Sequence, residues 1–150
     1  MQGYFADTNV WVALQFKRHL HHQIVVDFMK TRAKEAPVFF ARIVEQSFLR
    51  LITTAAICRT YNVSVHTNAQ AVQILNGWRS CSYIDCLDEE PPGTRELWLE
   101  LAAIPSASPK VWMDAYLAAF AIRAGIPLAT LDSDFRQFES AGLSLLVLTG

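Results

Sequence analysis

Four carboxylates stand where a chain of alternating strands and helices can do chemistry: Asp7, Glu45, Asp114 and Asp132, the last followed two residues later by Asp134. Most have an ordinary explanation when taken singly. Asp7 can cap a helix, but Thr8 and Asn9 beside it can cap as well, so capping does not require it. Glu45 suits the positive end of a helix and can pair with Arg42 three residues earlier, yet its own helical face otherwise carries Leu49, Ile52 and Ala56. Asp132-Ser133-Asp134 suits a turn followed by a cap. Asp114 is less ordinary. A helix starting near Ser108 puts it beyond the capping positions, on a face shared with Val111, Ala118, Ala121 and Gly125. That face is small and uncharged, as needed to lie close against a sheet. An ionised carboxylate buried there costs several kcal/mol unless a basic side chain or a bound cation compensates it. Carboxylates converging on one point repel strongly, and Mg²⁺ or Mn²⁺, which take carboxylate and water oxygens, relieve that repulsion. The chemistry of such a site is metal-assisted phosphoryl transfer, in which a water is activated and charge on a phosphate is stabilised.

Whether the four meet depends on the elements that carry them. Residues 3–6 read as a strand and 10–16 as a helix. Residues 22–34 read as a second helix, 37–41 as a buried strand, and 42–56 as a long helix with Val44, Phe48, Leu51 and Ala55 on one face. Residues 68–78 are helical, capped at Thr67 or Asn68. Residues 82–86 suit a strand, and 94–103 suit a helix. The long helix over 108–123 starts on Ser108-Pro109 and stops at Gly125. A strand over 127–131, a helical turn over 134–139 and a closing strand over 143–148 complete the chain. Strands alternating with helices imply a three-layer α/β/α sandwich around a mostly parallel sheet. Ligands bind such sheets outside the C-terminal strand ends. Asp7 and Asp132 each close a strand, and Glu45 and Asp114 lie early in helices that start near the same edge.

The chain of 150 residues suits one domain spanning 1–150, and 52% hydrophobic with 18% charged residues argues against disorder. No apolar run approaches the length of a membrane span. The first residues, Met1 to Tyr4, lack the basic and apolar pattern of a signal peptide, and a cytoplasmic location is expected. Cys58, Cys81 and Cys86 are an odd number without metal-site spacing and read as reduced thiols. The net charge of −1 excludes reading nucleic-acid binding from bulk charge. The distribution is uneven, however, with eight Lys or Arg against four acids in residues 1–75 and five against ten in residues 76–150. Asp88-Glu89-Glu90-Pro91-Pro92-Gly93 reads as a solvated turn. His19, His21, His22 and His66 read as loop residues facing solvent or a partner. Phe39, Phe40, Trp98 and Trp112 read as core, and Trp11 and Phe16 as apolar excess that could face a partner.

Four stretches then fall into register: Asp7-Thr8-Asn9-Val10-Trp11, Arg42 to Leu51 (RIVEQSFLRL), Trp112 to Ala121 (WMDAYLAAFA) and Leu128 to Phe135 (LATLDSDF). In these the chain resembles the PIN-domain ribonucleases, most closely the VapC-type toxins of bacterial toxin–antitoxin pairs, over essentially its whole length. The resemblance implies a cluster of Asp7, Glu45, Asp114 and Asp132 that binds Mg²⁺ or Mn²⁺ and hydrolyses phosphodiester bonds of single-stranded RNA to 5′-phosphate and 3′-hydroxyl ends. Asp7 and Asp114 would hold the principal ion, with Glu45 and Asp132 completing its shell through waters or a second ion. Thr8 or Asn9 would orient the cluster, and Thr130 matches the family's hydroxyl residue ahead of the last acid. Whether Asp132 or Asp134 is the closer ligand stays open. Arg42, Arg50, Lys110 and Arg136 are the basic candidates for backbone phosphates. A homodimer, a cognate antitoxin and a structured target such as tRNA or rRNA are further implications. Among alternatives, a Mg²⁺-binding receiver-like regulatory module wants adjacent acids after the first strand and a lysine after the last site strand. An aspartyl phosphatase wants Asp-x-Asp where Asp7-Thr8-Asn9 stands. A PIN-like protein without chemistry would lack some of the four acids, and all are present.

Overall fold

The computed structural model describes residues 3–148; Met1, Gln2, Thr149 and Gly150, including half of the N-terminal stretch read above, lie outside the described residues. Among the described residues, strands β1 (Tyr4–Ala6), β2 (Val38–Ala41), β3 (Ile84–Leu87), β4 (Leu128–Thr130) and β5 (Leu145–Val147) form one sheet. Its order is β3-β2-β1-β4-β5, and every neighbouring pair is parallel. The connections carry helices α1 (Thr8–Gln15), α2 (His22–Lys30), α3 (Arg42–Ile52), α4 (Ala55–Thr60), α5 (Asn68–Arg79), α6 (Thr94–Ala102) and α7 (Pro109–Ala124). Ser133–Ala141 winds as a 3₁₀ helix between β4 and β5.

Side chains alternate between the faces of a strand, so the register sorts the layers. Phe5 is level with Phe39, and both point to one face, while Tyr4 and Phe40 point to the other. The first face meets α7, where the Phe5 ring lies 5.0 Å from that of Phe120. The second meets α1 and α2. Trp11 stacks on Phe40 at 3.5 Å and donates its indole N–H to the Ala6 carbonyl at 3.3 Å, and Tyr4 meets Phe28 edge-on at 5.5 Å. Helices thus cover both faces, giving the α/β/α sandwich. Burial corrects two expectations: Trp11 and Phe16 are 0% and 1% exposed and belong to the core, not to a partner-facing surface, whereas Trp112, expected in the core, is 54% exposed.

The strand order reverses beside β1. From β1 the chain steps outward through β2 to β3, then returns to place β4 and β5 on the opposite side of β1. Adjacent strands whose connections run to opposite faces leave a crevice at their C-terminal ends. Asp7 and Asp132 stand at the two lips of that crevice. The Asp7 N–H bonds the Ala129 carbonyl at 2.9 Å, which ties the first lip to β4. Gly125, with φ of +67°, ends α7 in the left-handed conformation that glycine adopts without strain and turns the chain toward β4.

The helix expected over 42–56 breaks at Thr53-Thr54. The Thr53 hydroxyl donates to the Leu49 carbonyl at 2.8 Å and the Thr54 hydroxyl to the Arg50 carbonyl at 2.6 Å, satisfying carbonyls that a continued helix would use. The chain restarts as α4. The helix expected over 22–34 likewise stops at Lys30, where the Thr31 hydroxyl takes the Phe28 carbonyl at 2.6 Å.

Candidate active site

Asp7 caps α1, accepting the Thr8 N–H on Oδ1 at 2.7 Å, while Oδ2 accepts the Thr130 hydroxyl at 2.9 Å. Thr130, fully buried at the end of β4, also accepts from the Asn9 side-chain amide at 3.3 Å and from the Asp132 N–H at 3.0 Å. One donor and two acceptor sites are all that a hydroxyl has, so Thr130 is saturated. Asn9 closes the ring by accepting the Leu131 N–H at 3.2 Å. Asp7 is 8% exposed. Burial pushes its pKa up to about 6; the bonds from Thr130 and Thr8 offset only part of this, and the charges of Asp114 and Asp132 add to it.

Asp114 is buried in α7, with Val111, Ala118 and Ala121 of its own face buried around it. Burial raises its pKa, partly countered by Lys110 one turn earlier. The Lys110 ammonium lies 3.6 Å from Asp114, 2.6 Å from Asp132 and 2.9 Å from Asp134. Burial opposes ionisation of Asp132, but the bond from Lys110 and the Asp134 N–H at 2.9 Å outweigh it and hold that carboxyl below its usual range. The bonds Lys110 donates to Asp132 and Asp134 raise its pKa and keep it cationic.

Asp7, Asp114 and Asp132 line one cleft of about 550 Å³, together with Thr8, Asn9, Lys110, Arg50, Ser47, His19 and Tyr61. Asp134 stands at its edge through Lys110. Glu45 is not among the lining residues. It is 4% exposed, and its two oxygens are held by Arg42 at 3.1 Å and Arg79 at 3.2 Å. The partner three residues earlier was visible in the sequence; the one from the end of α5 was not. Arg42 and Arg79 also reach Asp88, at 3.3 and 3.9 Å, and Glu90 accepts the Tyr116 hydroxyl at 2.6 Å. The acidic turn is therefore engaged with its neighbours and not simply solvated. Of the four basic candidates, Arg50 and Lys110 line the cleft, whereas Arg42 is spent on Glu45 and Arg136 faces Glu139 at 3.8 Å.

His19 and Tyr61 are cleft residues that the sequence reading left out. His19 was expected to be a loop residue facing solvent or a partner; instead it is half-buried in the cleft wall, against Tyr61. A hard all-oxygen donor set of this kind suits Mg²⁺ or Mn²⁺ in chemistry. As the side chains stand, no group of three or more His, Cys, Asp or Glu among the described residues is arranged to hold a metal ion. Lys110 supplies the positive charge between Asp114, Asp132 and Asp134.

The profile of the PIN domain matches residues 4–140. The chain belongs to the PIN-domain family. A curated relative is ribonuclease VapC41 of Mycobacterium tuberculosis, 36% identical over 140 residues that cover 93% of this chain and 96% of the relative. The fold of this PIN domain is also that of solved structures. VapC20 of M. tuberculosis, described as a sarcin–ricin loop cleaving toxin, superposes with a TM-score of 0.63 at 19% identity, covering 94% of this chain and 96% of its own. VapBC-1 of nontypeable Haemophilus influenzae gives 0.64 at 13% identity, covering 98% of both. FitAcB of Neisseria gonorrhoeae gives 0.61 at 16%, covering 97% of both.

Proposed function

We propose that this PIN domain is a divalent-metal-dependent endoribonuclease of the VapC type and acts as the toxin of a toxin–antitoxin pair. One observation carries the chemical part: Asp7, buried and short of compensating charge, shares a cleft with Asp114 and Asp132 at the β1/β4 crevice. In this reading Asp7 and Asp114 hold the principal Mg²⁺ or Mn²⁺, Asp132 completes the set, and Asp134 lies behind it on Lys110. Bound there, the ion would supply Lewis-acid charge to the phosphate and make water more acidic.

The protein's own groups have separate tasks. Thr130 and the Thr8 N–H each hold one oxygen of Asp7 and keep the carboxylate in one orientation at the cleft. Asn9 and the Asp132 N–H lock Thr130 in turn. Lys110, on the exposed side of the acids, and Arg50, which makes no ion pair among the described residues, face the path of an RNA backbone. Glu45 supports this edge through Arg42 and Arg79. A cognate antitoxin completes the reading, supported by the relative VapC41 and the fold shared with VapBC-1 and FitAcB, and a homodimer and a tRNA or rRNA target are added to it on the family resemblance alone. No helix among the described residues is long and apolar enough to cross a membrane, and the three cysteines are unpaired, in keeping with a cytoplasmic setting.

The test is cleavage of RNA by the purified chain with Mg²⁺ or Mn²⁺, against Asp7→Asn and Asp114→Asn. Cleavage that survives either substitution removes the assignment of that carboxylate.

A further inference from the structure

The cleft has an aromatic wall as well as an acidic one. Phe16, at the end of α1, is buried in the core. Tyr61, just past α4, stacks on it with centroids 4.7 Å apart and planes 19° apart. His19 stacks on Tyr61 at 5.3 Å and 25°. The column is rooted in the core, and its outer members, Tyr61 and His19, line the same cleft as Asp7, Asp114 and Asp132. His19 is fixed further, because its Nδ1 accepts the backbone N–H of His21 at 3.0 Å. In the neutral ring that bond puts the proton on Nε2. Burial, with the charges of His21 and His22, lowers the pKa of His19, so the ring is neutral at physiological pH.

A flat, neutral heterocycle held by a rigid stack, with one N–H free to donate, has the properties of a platform for a nucleobase. Every base offers a π-face, so such platforms hold single strands with little regard to sequence. Arg50 lies on the same cleft and is free of ion pairs among the described residues, available to an adjacent phosphate. A base still paired in a duplex cannot present its face to a side chain, whereas one splayed out of a loop can. We infer that His19, backed by Tyr61, forms a subsite for one unpaired nucleobase beside the scissile phosphate. The inference rests on the ribonuclease reading above.

Abasic scanning tests it. A short unstructured RNA, with one base removed at each position in turn, is bound to the wild-type chain in EDTA and cleaved by it in Mg²⁺. One position should prove sensitive, with affinity falling about 5- to 150-fold, the range for losing one base stacked on an aromatic ring. His19→Ala should weaken intact RNA by a similar factor and erase the sensitivity of that position. His19→Phe, which keeps the stack, should stay near wild-type affinity and keep the sensitivity. The subsite is overturned if the wild type cleaves RNA but no position is sensitive. It is equally overturned if the sensitivity survives in His19→Ala, or if His19→Phe loses as much as His19→Ala. If the wild type neither binds nor cleaves any RNA, the ribonuclease reading itself fails, which is a distinguishable result.

Discussion

Replacing Asp7 by Asn should stabilise the metal-free protein at neutral pH while removing its activity. The folded carboxyl has a pKa of about 6 against an ordinary value of 3.8, so between these values the folded state holds a proton that the unfolded state has lost. Stability therefore falls as pH rises through that window and levels off above it. That difference corresponds to roughly 3 kcal/mol once the carboxylate is fully charged. Asn carries no charge to bury and can keep the bond from the Thr8 N–H. Its amide, however, would point a third donor at the Thr130 hydroxyl, which already accepts from Asn9 and Asp132. One lost hydrogen bond costs about 1 kcal/mol. The net expectation is that Asp7→Asn is more stable by about 2 kcal/mol at pH 7.5 and less stable by about 1 kcal/mol near pH 3. For a chain of this size the gain is roughly 4–8 °C in Tm. Urea denaturation across that pH range in EDTA measures it. Adding Mg²⁺ should then raise the wild type and not the variant. A variant less stable than wild type at pH 7.5, or a difference that does not change with pH, would refute the reasoning.

Three further outcomes follow from the same contacts. Thr130→Val removes the donor to Asp7 and strands the Asn9 amide and the Asp132 N–H, and should cost about 1–3 kcal/mol in urea denaturation, with Thr130→Ser recovering most of it. Lys110→Met removes the cation that now holds Asp132 and Asp134; calorimetric titration should show Mn²⁺ binding tightened by about fivefold, corresponding to about 1 kcal/mol, while RNA binding weakens. Glu45→Ala should cost about 1 kcal/mol, because the guanidinium groups it frees are solvent-accessible and keep Asp88, whereas Arg79→Ala leaves the buried Glu45 carboxylate half-paired and should cost about 1–3 kcal/mol; urea denaturation separates the two.

The elements that carry Asp7, Asp114 and Asp132 were legible because each signal is local. A short apolar strand before Asp7, a Ser-Pro start and a Gly stop around the Asp114 helix, and a strand ahead of Asp132 need no distant partner to be read. The small residues around Asp114 likewise announced close packing, and Val111, Ala118 and Ala121 are buried. What escaped was set by contacts between distant residues. Arg79 meets Glu45 across 34 positions, and nothing near either one marks the pair. His19 becomes a cleft residue through Tyr61, whose place depends on the break at Thr53-Thr54. That break is a competition between threonine hydroxyls and backbone amides for the same carbonyls, which hydrophobic periodicity does not register. The strand order that opens the crevice beside β1 is also a property of the whole sheet, and alternation of strands and helices leaves it undetermined.

The most direct test of the central claim is cleavage of a labelled single-stranded RNA by the wild-type chain and by Asp114→Asn, each in Mg²⁺ and in EDTA. The account predicts cleavage by the wild type in Mg²⁺ alone, with 5′-phosphate and 3′-hydroxyl ends, and none by Asp114→Asn in either condition. Wild-type cleavage that persists in EDTA, or undiminished cleavage by Asp114→Asn in Mg²⁺, would contradict it.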